Sequence, residues 1–148
     1  MTPLNWDASR TVAENAREKL PELASQFFSA GAIAADEKTA LADIHHFRLV
    51  TKRFRYTLEL FAGDYYGPGL THRIESLKSL QQLLGSISDC SATQKLLAGR
   101  KDLSVAELSR LHRKLDALAR TRVANFRRFW LKNFTPTHQR SWTTYLSR

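Results

Sequence analysis

Between Asp43 and Phe61 the apolar residues recur with a helical period, and nearly all the charges have one sign. Phe47, Val50, Phe54, Leu58 and Phe61 follow at steps of three, four, four and three. At 3.6 residues per turn these positions share one face. His45, Arg48, Lys52 and Arg55, at steps of three, four and three, lie on the opposite face. No acidic residue stands between Asp43 and Glu59. The stretch therefore predicts a helix with a buried side and a row of cationic donors on the other. Arg53 and His46 flank that row.

The same period runs through the rest of the chain. A first helix is expected from a cap at Asp7 or Ser9, carrying Val12, Ala16, Leu20, Leu23, Phe27 and Phe28. Pro21 should kink or break it, and Gly31 should end it. Trp6 is placed to fold back over its start. The second helix is expected from Asp36 or Thr39, over about 36–62. Gly63 to Gly69 reads as a turn, with Tyr65 and Tyr66 as a lid on the bundle end. A third helix is expected over about 71–97, with Leu70, Ile74, Leu77, Leu80 or Gln81, Leu84 and Ile87 as its seam. Gly85 within it suggests a close helix crossing. Ser104 with Glu107 has capping-box spacing and opens a fourth helix to about Asn133, whose seam is expected from Val105, Leu108, Leu111, Leu115, Leu118, Arg122, Phe126 and Phe129, with Arg122 as the exception. Pro136 should block continuation, and His138 to Leu146 is expected to add a short last helix. Only six Gly and four Pro interrupt 148 residues. The prediction is a single all-α domain over 1–148: an antiparallel four-helix bundle with a short C-terminal extra helix.

The formal net charge is +9, and the excess is concentrated. From Arg110 to Arg148 there are ten Lys or Arg and one acid, Asp116. Such an excess suits a polyanion, although basic solvated surface is the simpler alternative. Arg113, Arg120 and Arg127, spaced by sevens, form a second basic stripe with Ala117 and Ala124 between them. Cys90 is alone, so it forms no intramolecular disulfide and reads as a packed thiol in a reducing compartment. No apolar run is long enough for a membrane span, and the N-terminus has no signal-peptide pattern. These features predict a cytoplasmic protein. No HExxH, Cys/His set, GxSxG or phosphate-binding Gly-rich loop occurs, so no metal, cofactor or catalytic activity is expected.

Two segments resemble a known family. His45-x-x-Arg48-x-x-x-Lys52-Arg53-x-Arg55-Tyr56, leading to an apolar helix end, looks like the signature helix of the CHAD family. Leu77-Lys78-x-Leu80-Gln81-x-x-Leu84-Gly85-x-x-x-Asp89 is similar to that family's next helix. The resemblance covers roughly Ala40 to Leu97. It implies a helical bundle that binds inorganic polyphosphate through His45, Arg48, Lys52, Arg53, Arg55 and Lys78. Arg113, Arg120 and Arg127 join this set on spacing alone. The family domain typically holds two such four-helix units, whereas this chain carries one set of motifs and reads as a half-length form. Two chains would then pair as a homodimer, or one bundle would work alone. Polyphosphate granules are the implied location. A nucleic-acid-binding helical protein is the alternative, although Phe47 and Phe54 sit on the core face and leave no evident stacking platform.

Overall fold

The computed structural model describes residues 5–65 and 67–148; Tyr66, expected to share the lid with Tyr65, lies outside them. The described residues form five α-helices and no strand: α1 Val12–Ala35, α2 Leu41–Leu60, α3 Gly69–Ala98, α4 Val105–Asn133 and α5 Pro136–Leu146, with a short 3-10 turn at Ala62–Asp64. The all-helical architecture matches the sequence prediction. Several boundaries do not.

Helix α1 begins at neither Asp7 nor Ser9. Asp7 accepts from the Ser9 backbone N–H at 2.9 Å and from its hydroxyl at 2.6 Å, closing a turn ahead of the helix. Thr11 is the cap, and Glu14 reaches back to it in a capping box. Neither Pro21 nor Gly31 interrupts the helix, which runs through both. Helix α2 opens later than expected. The Asp36 N–H caps the end of α1 on Ile33, and α2 starts after Ala40, which offers no side-chain cap. Pro136 starts α5 instead of merely stopping α4. Its missing N–H costs nothing at a first helical position, and Thr135 caps the turn through His138. Trp6 reaches across to the end of α2, where it stacks on Phe61 at 5.9 Å.

The core converges on Phe27. Its ring centroid lies 5.0 Å from Phe54, 5.4 Å from Phe47, 5.7 Å from Trp130, 5.6 Å from Phe134 and 6.3 Å from Trp142. Four helices thus meet at one side chain. The fourth column of the bundle is shared. The last turns of α4 bring Phe126 and Trp130 inside, and α5 continues with Trp142 and Leu146. Gly31 is where Trp130 lies against α1: a Cβ there would overlap the indole ring. The close crossing expected at Gly85 is absent, since a Cβ there meets nothing within 4 Å. Tyr65 does close the bundle end, donating to the Leu146 carbonyl at 2.8 Å and stacking on Tyr145 at 5.6 Å.

Candidate polyanion site

The basic face of α2 is laid against α3, and that contact sorts its residues. Arg48 and Arg55 are half-buried, seven residues and thus about two turns apart. With Lys78, Gln81 and Gln82 of α3 they line an open groove of about 270 Å³. No acid is among these lining residues. Glu59 lies 3.5 Å from Arg55 and Glu75 lies 3.0 Å from Lys78. Both carboxylates belong to exposed residues. The Nε atoms of Arg48 and Arg55 and the Oε1 atom of Gln81 are buried without a hydrogen-bond partner. Such groups normally find one, so the groove concentrates unmet hydrogen-bonding capacity and positive charge.

The other expected residues divide by position. Lys52 is exposed beside the groove, 5.8 Å from the Tyr56 ring, whose face also carries the Arg55 guanidinium at 4.5 Å. Arg53 is exposed about 140° around the helix from Arg48 and does not line the groove. His45 is half-buried between two serines of α3, with Nδ1 at 3.1 Å from Ser88 Oγ and Nε2 at 3.2 Å from Ser91 Oγ. Both ring nitrogens are engaged, so His45 fixes the register of α2 on α3. It offers no free ring N–H to the groove. The two serines are the partners that sequence reading missed. Their only signal was helical spacing: Ser88 and Ser91 follow Leu84 by four and seven residues and flank the Ile87 seam, on a face read as apolar.

Helix α4 packs on α3 as well, and its arginines separate. Arg113 and Arg120 are exposed. Arg127 is half-buried and donates to the carbonyls of Asp36 at 3.0 Å and Glu37 at 3.3 Å, tying α4 to the α1–α2 connection. Arg120 and Arg127 line a different groove, with Leu41, Asp116, Ala119 and Val123. Arg122, the exception in the α4 seam, donates to the Ser86 carbonyl at 2.6 Å and lies 3.3 Å from Cys90 Sγ. Cys90 is buried, as expected of a packed thiol. The two basic rows therefore do not line one groove. Among the described residues no three His, Cys, Asp or Glu side chains gather as metal ligands, and no helix is long and apolar enough to cross a membrane.

A family model, the CHAD domain, matches residues 2–98, which takes in α1, α2 and α3. No curated protein and no solved structure matches the chain.

Proposed function

The chain belongs to the CHAD domain family, and from that premise we propose that it binds inorganic polyphosphate in the α2–α3 groove without catalysing a reaction on it. The observation that carries the reading is the set Arg48, Arg55 and Lys78, with unpartnered buried Nε atoms on both arginines. A phosphate chain presents oxygens on every unit and no base to read. Forked guanidinium donors along a helix suit it. In this reading His45 positions the row, Lys52 extends it, and Arg53, Arg113, Arg120 and Arg127 are peripheral. The same reading places the protein in the cytoplasm, in association with polyphosphate granules.

One observation favours the nucleic-acid alternative. Tyr56 is 45% exposed beside the groove, so an aromatic platform is present after all. Titration of long-chain polyphosphate against single-stranded RNA and duplex DNA, at matched phosphate and salt, separates the two. Polyphosphate should bind tightest. Arg48→Gln should weaken it about ten-fold or more, the loss of charged hydrogen bonds, with helix content unchanged. Equal or tighter nucleic-acid binding defeats the proposal. So does phosphate release from the polymer when divalent metal is added.

A further inference from the structure

Helix α2 exposes four large apolar side chains; Leu41 lines the groove of Arg120 and Arg127, and the other three lie elsewhere: Leu49 is 51% exposed, Tyr56 45% and Leu60 82%. With exposed Arg53 they recur at steps of four, three and four, a single stripe along the helix. The stripe is neither the core face of Phe47, Phe54 and Leu58 nor the Arg48–Arg55 side that lies on α3. Its spacing is symmetric under reversal. An apolar residue stands at each end, with an Arg and a Tyr between.

We propose that this stripe is the docking surface for a second copy of the chain, packed antiparallel along α2. With the two-fold axis between Phe54 and Arg55, Leu49 meets Leu60 of the second copy and Arg53 meets Tyr56 of the second copy. Every contact then occurs twice, as a two-fold interface requires. The Tyr56 ring already carries Arg55 and Lys52 of its own chain, and Arg53 of the second copy meets it from the exposed side. The flanks agree in charge. Lys52 and Glu59 are seven residues apart on the side nearer α3, and antiparallel packing brings like flanks together. Lys52 therefore comes opposite Glu59 of the second copy, twice. A parallel pair would instead set Arg53 on Arg53 and place the two Lys52 side chains on opposite sides of the pair, away from Glu59 of the second copy.

Helix α4 also exposes apolar residues, but Val105, Leu118 and Leu131 stand among Arg110, Arg113, Lys114, Arg120 and Arg128. A second copy laid there would face its own charge. The α2 stripe is small beside the roughly 1,200 Å² of a stable interface, so the dimer dissociates in the micromolar range or above. Because both α3-facing flanks fall on one side of the pair, both Arg48–Arg55–Lys78 grooves open on a common face. Spanning of the two grooves by one polyanion rests on the function proposed above, whereas the pairing does not.

Sedimentation of the whole chain across micromolar to sub-millimolar concentration tests the pairing without ligand. A monomer–dimer equilibrium is expected, lost in Leu60→Glu and kept in Leu118→Glu, with circular dichroism unchanged in both. Cysteine trapping then reads the register. Leu49→Cys and Leu60→Cys chains, mixed and oxidised with copper phenanthroline, should cross-link at least ten-fold more than either alone. Like positions lie about 16 Å apart along the helix axis, beyond disulfide reach. A monomer at every concentration, dimer loss in Leu118→Glu, or equal cross-linking of either chain alone overturns the proposal. Short polyphosphate binding by the Leu60→Glu monomer reports on the groove separately, so failure of one reading is distinguishable from failure of the other.

Discussion

Three residues show how far local chemistry reaches. Gly31 looked like a helix stop, yet it is interior to α1 because the Trp130 ring needs the space of its missing Cβ. Gly31→Ala should therefore cost about 1–3 kcal/mol, the usual penalty of overpacking, measured by chemical denaturation. Trp130→Phe in the same chain should recover part of the loss. Gly85 shows the converse: nothing crowds it, so Gly85→Ala should stabilise by roughly 0.5–1 kcal/mol through helix propensity. Sequence could not assign these roles, because the partner of Gly31 lies on a helix distant in the chain. His45 is similar. Its place in a basic row was legible, but the two serine hydroxyls were not. His45→Ala should cost about 1–2 kcal/mol of stability from the lost hydrogen bonds, with a small effect on polyphosphate affinity once the folded fraction is held equal.

For whole elements, termini decide more than interiors. Helices α1 and α4 each start with a capping box, Thr11 with Glu14 and Ser104 with Glu107. The second was readable from its spacing before an apolar seam. The first was masked by Asp7 and Ser9, which are equally good capping residues. Thr11→Ala should cost about 1 kcal/mol, seen as a lower melting temperature. Several surface carboxylates make stability depend on acid. The Thr11 backbone and hydroxyl hold Glu14 below the usual carboxylate range, Ser9 does so for Asp7, and Lys19 with Arg10 for Glu18. Arg100 takes Asp102 down to about 2. Groups with depressed folded-state values stabilise the protein above their unfolded values, near 4, and lose that contribution as pH falls through the folded ones. Melting temperature should thus decline from about pH 5 towards pH 2. Tyr65 acts in the other direction. Burial raises it to about 12, so its contribution is present below about pH 10 and fades as pH rises through about 12. Tyr65→Phe should flatten that alkaline decline.

Across the whole molecule, the basic excess is spread over separate surfaces. The α2–α3 groove holds three cations, Arg48, Arg55 and Lys78, while Arg113 and Arg120 stand on α4. If three phosphates are neutralised in the groove, the logarithm of affinity should fall against the logarithm of salt with a slope of about −2. A much steeper slope would bring the α4 arginines into the site. The helical class, the buried side of α2 and α3, and the presence of a basic row on α2 were legible in the sequence, whereas Val12, Val105 and Leu118, read as core positions, are exposed. Those features follow from period and charge, which act within a few turns. Which cations work together depended on how the helices pack. Packing α2 on α3 turned Arg48 and Arg55 into a groove with Lys78, consumed both nitrogens of His45 on serines, and left Arg53 on a different face. The reason is physical: helical period fixes the direction of a side chain about its own axis, but its partners are set by whichever helix fills the space beside it.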